Sequence, residues 1–441
     1  MLKRKIEKVL SDWKNNEHKM PLIIKGCRQC GKTFSVLDFA KKNYKHVVYL
    51  DFYQHPEYKT AFDGGLGIDE ICMNLSVLIP NVKFVVGETC FVLDEIQECL
   101  RARTSLKFFK MDGRYDVICT GSLLGVSGYS ATRSVDAPIP VGYETIIDMY
   151  PLDFEEWLWA NGIQENVISY LSKCLDENTP VQEAIHFRMR QLLLQYCVVG
   201  GMPMAVTTFR ENGNLQDVLR VQQGIIEGYK ADMLKYAPQT DKPRIRECFD
   251  SIPRQLSKEN KKFVYSAVRP KGRGRDYLGS LQWIEDAGII KRCYNLSTTE
   301  LPLEGNAIGD QFKVYMVDTG LFVSMLEVGT AADILQGNLF GYKGAIFENL
   351  IADVFAKMER KLYYFRKDTG LEVDFVMRYK RECTLVEVKA KDGNTKSTKT
   401  ILDHPEKYHV YHAIKLGDYN IGKGNSMLTL PLYMAFLLRQ R

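Results

Sequence analysis

Short apolar runs alternate with amphipathic stretches along the first third of the chain, between Pro21 and about Tyr150. Four of these runs are rich in β-branched or aromatic residues, and they read PLIIKG, HVVYLDF, TCFVLDE and YDVICTGS. Nearly continuous apolar runs of this kind are typical of strands buried on both faces of a parallel sheet. The alternation of strands and helices therefore predicts a doubly wound α/β domain over residues 1–150.

The pattern changes to longer helical stretches after this point. Residues 151–236 have helical periodicity, broken by the glycine-proline segment VVGGMPMAV at 198–206, which predicts a helical lid or linker. Residues 237–330 contain short helical stretches, then RPKGRGRDY, then AGIIKRCYNL as a strand, an order typical of a winged helix. In residues 331–441 the helical stretch GAIFENLIADVFAKM precedes the strands LYYFR, LEVDFVMRY and CTLVEVKA. This last pattern predicts a separate C-terminal α/β domain.

The segment GCRQCGKT at residues 26–33 fits the phosphate-loop pattern G-x-x-x-x-G-K-[ST], with an apolar strand before it and a helical stretch after it. In such a loop, backbone N–H groups and a helix N-terminus point at phosphate and stabilise its negative charge. We expect Lys32 to reach the β- and γ-phosphates and Thr33 to bind magnesium. The predicted nucleotide-binding residues of this segment are Gly26, Cys27, Arg28, Gln29, Cys30, Gly31, Lys32, Thr33 and Phe34.

Two further strands end in polar residues that suit the same site. The strand CFVLDE ends in Asp94 and Glu95. We expect Asp94 to hold magnesium and Glu95 to polarise the attacking water, which makes them, with Lys32, the candidate catalytic residues. The strand DVICTGS ends in Thr120 and Ser122, whose hydroxyl groups could contact the γ-phosphate or water. Turn chemistry alone would also select such residues.

These motifs, together with MYPLDFEEW, VVGGMP, IPRQLSKENKKF, EVDFV and LVEVKA, make nearly the whole chain similar to a family of bacterial and archaeal AAA-type ATPases. Members of that family carry a C-terminal domain of unknown function related to restriction endonucleases. The resemblance implies that Gly201 and Pro203 contact the nucleotide. It also implies an arginine in the segment corresponding to PVGYETI, where this chain has Tyr143. Arg133, in the glycine- and serine-rich loop after DVICTGS, could stabilise transition-state charge instead, with a solvated loop arginine as the alternative interpretation.

Carboxylates and a lysine recur on the predicted C-terminal strands. Asp374 and the triplet from Glu387 to Lys389 lie on consecutive strands, and Glu348 lies on the helix before them, which fits the D…E-x-K pattern of nucleases. Such a site needs carboxylates that hold magnesium near a phosphodiester and a lysine that orients water. We therefore predict a second metal site at Glu348, Asp374 and Glu387, with Lys389 as its catalytic lysine. The alternative is that salt bridges neutralise these carboxylates.

A basic segment runs from Arg254 to Arg275, with eight lysines and arginines against one acid and with Phe263 and Tyr265 between them. Such a stripe could bind DNA phosphates with salt-dependent affinity, whereas a solvated helix face is the alternative interpretation. The net charge of +5 is too small to decide between the two.

Composition limits the remaining possibilities. A chain of 441 residues is too long for one core, and it has no apolar run of the roughly 18 residues that a membrane span needs. The basic N-terminal segment lacks the apolar centre of a signal peptide. Eleven cysteines without framework spacing suit a reducing cytoplasm, and the Cys27 and Cys30 pair reads as two small side chains in a tight turn.

These observations predict a soluble, cytoplasmic, magnesium-dependent ATPase of the α/β class. It combines a P-loop parallel sheet with a helical lid, a winged-helix-like middle region and a C-terminal restriction-endonuclease-like domain. The predicted cofactors are ATP and Mg²⁺, and the predicted partner of the C-terminal half is DNA. Two other functions stay open, a nucleotide-gated signalling or scaffold protein with a protein partner and an ATP-gated metal-dependent nuclease. A homo-oligomer is also compatible with the family resemblance.

Overall fold

A computed structural model describes residues 2–122, 142–258, 261–338, 342–389, 395–424 and 426–439 of the chain. The chain folds into two units. The first unit contains Met1–Tyr150, Asp232–Thr240 and Asp286–Gly288, and the second contains Pro151–Ala231, Asp241–Glu285 and Ile289–Arg441. None of the helices in the described part of the chain has both the length and the apolar character that crossing a membrane requires.

A parallel sheet forms the centre of the first unit. Its strands are β1 (Leu22–Lys25), β2 (His46–Asp51), β3 (Thr89–Asp94), β4 (Asp116–Gly121) and β5 (Thr145–Asp148). The helices around them are α1 (Ile6–Lys14), α2 (Lys32–Asn43), α3 (Ile68–Leu78) and α4 (Leu100–Asp112), with short 3-10 helices at Pro56–Phe62 and Ile96–Glu98. The strand order is β2-β3-β4-β1-β5, and every pairing between neighbours is parallel. The predicted P-loop sheet is confirmed.

The strands of this sheet lie side by side because both of their faces are apolar. All six residues of β3 are buried, and Phe91 and Leu93 pack with Leu75 and Leu106 from the flanking helices. Backbone pairing aligns Leu93 with Cys119 of β4, which brings the carboxyl ends of the two strands to one edge. Polar residues that follow these strands are therefore neighbours in space.

The remaining elements belong mainly to the second unit. The helices are α5 (Phe154–Ala160), α6 (Glu165–Glu177), α7 (Glu183–Val199), α8 (Pro203–Asn212), α9 (Leu215–Tyr236), α10 (Lys242–Leu256), α11 (Tyr265–Val268), α12 (Gly274–Asp286), α13 (Thr319–Ser324), α14 (Thr330–Leu335), α15 (Lys343–Lys357), α16 (Lys396–Leu402) and α17 (Pro405–Tyr408). The strands are β6 (Ile290–Leu296), β7 (Ala307–Met316), β8 (Leu362–Arg366), β9 (Glu372–Tyr379), β10 (Glu382–Val388), β11 (His412–Gly417), β12 (Gly422–Lys423) and β13 (Met427–Pro431). Short 3-10 helices occur at Leu303–Asn306 and Leu432–Leu437.

One mixed sheet joins the strands of the second unit, in the order β12-β13-β11-β10-β9-β8-β6-β7. Strands β6 and β7 fall in the region predicted to be a winged helix, and they pair with each other in antiparallel orientation. Strand β6 also pairs in parallel with β8 of the predicted C-terminal domain. A single hydrogen-bonded sheet thus crosses the predicted boundary at residue 330. The division into four domains and the winged helix stay predictions.

The glycine-proline segment between α7 and α8 is fixed by backbone contacts within the second unit. The N–H of Leu152 donates to the carbonyl of Gly201 at 2.7 Å, and the N–H of Gly201 donates to Asp318 at 2.7 Å. The other carboxylate oxygen of Asp318 accepts from the N–H of Leu321 at 2.9 Å and so caps α13. One buried carboxylate therefore holds two segments that are more than a hundred residues apart in sequence.

A buried lysine completes this network. The ammonium group of Lys357 donates to the carbonyl of Leu152 at 3.1 Å and to the hydroxyl of Tyr196 at 2.9 Å, and it lies 2.8 Å from Asp353. Burial raises the pKa of Asp353 to about 7, although Lys357 opposes this shift. A buried charge is unfavourable unless it is paired, so the lysine and the carboxylate depend on each other.

Gly201→Ala is expected to lower the free energy of unfolding of the second unit by about 1–3 kcal/mol, the usual cost of overpacking. A Cβ atom at this position would collide with the backbone of Leu152, which cannot move aside as a flexible side chain would. Thermal or urea unfolding followed by tryptophan fluorescence measures this, because three of the four tryptophans lie in the second unit, namely Trp157, Trp159 and Trp283.

Gly224→Ala is the matched control. Gly224 is a helical glycine with open space around its Cα, so alanine there should keep or raise stability by up to about 1 kcal/mol. Equal stability of the two variants would show that the contact with Leu152 does not constrain residue 201.

Candidate functional site

The loop between β1 and α2 has a backbone that curls tightly. Gln29 and Gly31 have φ values of 64° and 97°, in the left-handed region that glycine adopts most readily. At Gly26 a Cβ atom would collide with the carbonyl oxygen of Met149, so only glycine fits there. Helix α2 begins at Lys32, directly after this curl, and its N-terminus faces the loop. The predicted phosphate loop therefore has the strand–loop–helix geometry that anion binding needs.

Lys32 and Thr33 lie where the phosphate-loop pattern predicts them. The ammonium group of Lys32 is buried and donates to the carbonyl oxygens of Gly26 at 3.0 Å and Cys27 at 2.9 Å. The hydroxyl of Thr33 donates to Asp94 at the end of β3, at 3.0 Å. The structure thus brings the two predicted magnesium ligands of this site together.

Asp94 is held by hydroxyl groups from three elements. Besides Thr33, the hydroxyl of Tyr49 donates to it at 2.9 Å, and the hydroxyl of Thr120 donates to it from the neighbouring strand. Burial raises the pKa of Asp94, and the nearby carboxylate of Glu95 adds to the shift, whereas the three hydroxyl donors oppose it. A cation next to this carboxylate would favour its charged form.

Glu95 follows β3 with a left-handed backbone, at φ 50° and ψ 52°. Its carboxylate accepts a hydrogen bond from the hydroxyl of Ser122 at 2.9 Å and another from the side-chain amide of Gln97. Ser122 therefore contacts the candidate base directly. Its predicted contact with the nucleotide stays a prediction.

The other predicted nucleotide-binding residues have different surroundings. Arg28 forms an ion pair with Asp232, which lies in the last turn of α9 and belongs to the first unit. Phe34 is 61% exposed. Gly201 and Pro203 lie in the second unit, where Pro203 begins α8, and their contact with nucleotide stays a prediction. Arg133 lies outside the described residues.

Sequence reasoning missed Tyr49, Gln97 and Asp232. Tyr49 points at Asp94 from β2, a strand whose sequence reads only as an apolar run. Asp232 lies about two hundred residues after Arg28 in an ordinary amphipathic helix. No motif marks either residue, so the signal that could have found them is a three-dimensional contact.

The C-terminal residues of the D…E-x-K pattern also come together. Asp374 lies on β9, Glu387 lies on β10 and Lys389 follows β10. The ammonium group of Lys389 lies 2.5 Å from Glu387 and 3.7 Å from Asp374. Burial raises the pKa of Asp374, and Lys389 opposes this shift. The three residues form one buried group in which the lysine bridges both carboxylates.

Glu348 is neutralised by other lysines. It forms an ion pair with Lys261 from the basic segment, and Lys313 of β7 lies 3.8 Å from it. Lys313 also lies 2.9 Å from Glu372, and the hydroxyl of Tyr315 donates to Glu348 at 3.2 Å. Lysine ammonium groups thus compensate the negative charge of Glu348.

Within the described ranges, no three histidine, cysteine, aspartate or glutamate side chains are grouped so that they could hold a metal ion. The second metal site predicted at Glu348, Asp374 and Glu387 stays a prediction, and Lys389 lies beside two of its three carboxylates as the sequence pattern expects. The same observation does not affect Thr33 and Asp94. Magnesium in nucleotide sites takes one or two protein ligands and completes its shell with phosphates and water.

Models of known protein families match three parts of the chain. Residues 18–158 match the model of the AAA domain. This part of the chain is an AAA-type P-loop ATPase domain. The match covers β1 to β5 and includes the phosphate loop, Asp94, Glu95 and Ser122. The AAA domain thus contains the phosphate loop and all the residues described around Asp94 and Glu95, whereas Asp232 lies outside the match.

The rest of the chain matches families without a known function. Residues 190–332 match a domain of unknown function (DUF8612), and residues 343–433 match another domain of unknown function (DUF4143). Strands β6 and β7 fall in the first of these matches, and the residues from Glu348 to Lys389 fall in the second. No match is found among curated proteins.

Two solved structures show a distant similarity to the chain. A Walker-type ATPase of Pyrococcus abyssi is 14% identical with a TM-score of 0.43, and the match covers 74% of this chain and 96% of that one. The Aeropyrum pernix ORC1 protein in complex with DNA is 12% identical with a TM-score of 0.27, covering 76% of this chain and 91% of that one. Because both TM-scores are below 0.5, the assignment of the AAA domain depends on the family model and the loop geometry.

Ser122→Ala is expected to lower the ATP turnover number roughly tenfold while leaving the affinity for ATP within about twofold. The reason is that Ser122 positions the carboxylate of Glu95 through a hydrogen bond to a charged group. Steady-state hydrolysis and equilibrium binding of a fluorescent ATP analogue measure the two quantities separately.

Ser76→Ala, which removes an exposed hydroxyl on α3 of the same unit, is the matched control and should change neither quantity. A large loss of affinity for ATP in Ser122→Ala, with turnover unchanged at saturation, would instead support the direct nucleotide contact that the sequence predicts.

Proposed function

We propose that the chain is a magnesium-dependent ATPase whose AAA domain hydrolyses ATP and whose C-terminal half binds DNA. The observation that carries the first part is the arrangement around Asp94. Thr33, at the start of the helix after the phosphate loop, is hydrogen-bonded to Asp94 at 3.0 Å, and Glu95 follows next in the chain. A nucleotide-binding loop, a cation-binding pair and a candidate base thus lie at one edge of one sheet.

Each residue of this group has a distinct task in hydrolysis. The N–H groups of the loop and the ammonium group of Lys32 stabilise the negative charge of the phosphates. Thr33 and Asp94 would hold magnesium, and the donor chemistry of a hydroxyl beside a carboxylate fits that ion. The ion would neutralise charge on the phosphates. Glu95 accepts the proton of the attacking water, and Ser122 and Gln97 orient its carboxylate.

Lys32→Ala should abolish ATP binding and hydrolysis, because it removes the charge that faces the phosphates. Glu95→Gln should keep ATP binding but lower turnover by roughly 100-fold or more, since the amide cannot take a proton. Removal of magnesium with a chelator should stop turnover in the unmodified protein. Lys41→Ala on the exposed side of α2 is the control and should behave as the unmodified protein. Unchanged hydrolysis in both Lys32→Ala and Glu95→Gln would exclude the proposed mechanism.

The basic segment from Arg254 to Arg275 supports the proposed DNA binding through its C-terminal portion. Lys261 is paired with Glu348, and Arg254 donates to the carbonyl of Ala267. Phe263 is buried and stacks on Phe312 of β7, so it belongs to the core and cannot stack on a base.

Four exposed cations of the basic segment lie close together at its C-terminal end. Within the described ranges, no carboxylate forms an ion pair with Arg269, Lys271 or Arg273, and Arg275 lies 4.0 Å from Asp276. Four exposed cations over seven residues attract a polyanion such as a DNA backbone. Cleavage of DNA at the predicted second metal site stays a prediction of the sequence and is not part of this proposal.

Replacing Arg269, Lys271, Arg273 and Arg275 together by alanine should weaken DNA binding and flatten its salt dependence. Each lost phosphate contact lowers the slope of log K against log salt by about 0.9, so the four together lower it by up to about 3.6. Fluorescence anisotropy of a labelled duplex at several salt concentrations measures the slope.

The matched control replaces four exposed lysines of the first unit, Lys8, Lys41, Lys45 and Lys83, by alanine. It removes the same charge and should leave the slope unchanged if the segment from Arg269 to Arg275 is the contact. If the unmodified protein shows no salt-dependent DNA binding, a nucleotide-gated scaffold with a protein partner is the better interpretation.

A further inference from the structure

The phosphate loop contains two cysteines whose side chains meet inside the curl. Cys27 and Cys30 are buried, with 4% and 0% of their surface exposed, and both are thiols in this structure. The thiol of Cys27 donates a hydrogen bond to the sulfur of Cys30. The sulfur of Cys30 also lies 3.4 Å from the carbonyl oxygen of Met149. The loop that is expected to hold phosphate therefore has a pair of sulfur atoms in contact.

We propose that Cys27 and Cys30 form a reversible disulfide that prevents the phosphate loop from binding ATP, so that the AAA domain is active only when this pair is reduced. The inference rests on the proposed function for its effect on ATP. The formation of the bond itself is independent of that function.

The chemistry needs one two-electron oxidant, for which hydrogen peroxide serves. The thiolate of Cys30 attacks one oxygen of peroxide, breaks the O–O bond, forms a sulfenic acid and releases hydroxide. The thiol of Cys27 then attacks the sulfur of that sulfenic acid, the S–S bond forms, and water leaves. In total, two thiols and one peroxide give one disulfide and two waters. A dithiol reductant reverses the reaction by thiol–disulfide exchange.

The surroundings of Cys30 favour it as the attacking sulfur. The hydrogen bond from Cys27, together with the charges of Lys32 and Arg4, lowers the pKa of its thiol to about 6 although burial opposes this shift. Arg4 lies just before α1, and its guanidinium donates to the carbonyl of Cys30 at 3.0 Å. Thiolates beside cations are the reactive form of cysteine. Peroxide is close to water in size, which makes it a better probe than larger oxidants for a buried sulfur.

A disulfide at this place changes the loop because its geometry is narrow. The bond fixes two sulfur atoms about 2.05 Å apart, shorter than any hydrogen-bonded sulfur contact, so the backbone between the cysteines must tighten. Residues 27–30 include Gln29 in its left-handed conformation, and Lys32 donates to the carbonyl of Cys27. We expect this tightening to move the N–H groups of the loop out of the arrangement that phosphate binding needs.

Trypsin provides a sharp test on the full-length protein. The enzyme cuts after Lys25, Arg28 and Lys32, so Cys27 lies in the peptide GCR and Cys30 lies in the peptide QCGK. The two peptides stay joined after digestion only if the disulfide has formed. We expect mass spectrometry to find the joined pair after treatment with peroxide and the separate peptides after dithiothreitol. In parallel, the affinity for a fluorescent ATP analogue should fall at least tenfold on oxidation and recover on reduction.

The variants Cys27→Ser and Cys30→Ser are each compared with their own untreated form, because these positions belong to the binding loop. Neither should lose affinity on treatment with peroxide. Cys72→Ser, which removes a cysteine of α3 outside the site, should respond to peroxide as the unmodified protein does.

Absence of the joined peptides after oxidation would overturn the proposal, and so would their presence with unchanged affinity for ATP. If the reduced protein fails to bind ATP, the proposed ATPase function fails. The joined peptides would then still show whether the cysteine pair is a site of oxidation.

Discussion

The parallel pairing of β1, β3 and β4 is the constraint on which the nucleotide site depends. Backbone hydrogen bonds align Ile24 with Thr120 and Leu93 with Cys119, so the ends of three strands share one edge of the sheet. Asp94 lies about sixty residues after the phosphate loop, and its hydrogen bond with Thr33 forms only once the strands are paired. The apolar faces of the strands drive the pairing, and the polar residues arrive together as a consequence. The packing of the apolar strands thus positions the polar residues of the nucleotide site.

Buried charge organises the second unit in a different way. Lys357 with Asp353, and Lys389 with Asp374 and Glu387, are ion pairs inside a protein interior, where each member is unfavourable alone. Such pairs add little net stability but strongly penalise any arrangement that separates them. The segments that contain them are therefore held in one register. Two carboxylates of the predicted nuclease site, Asp374 and Glu387, share this pairing.

Sequence reasoning succeeded where a residue's neighbours in space are also its neighbours in a motif. Gly26 to Thr33 and the pair Asp94 and Glu95 follow strands whose apolar runs are easy to recognise, and the structure has them at the predicted edge. It failed where partners are far apart in the chain. Asp232 beside Arg28 and Lys261 beside Glu348 have no local signal, because long-range contacts leave no periodicity. The pairing of β6 with β8 was missed for the same reason, since the sequence of a strand does not determine which other strand it pairs with.

The left-handed backbone of Glu95 has a consequence for the stability of the fold. A glutamate in the left-handed region is strained by roughly 1–2 kcal/mol relative to glycine, which adopts that conformation freely. Selection for stability alone would therefore favour glycine or asparagine here, and the proposed role of Glu95 as a base would oppose that change. Relatives that have lost hydrolysis but kept the sheet should be recognisable by a small or amide residue at this position.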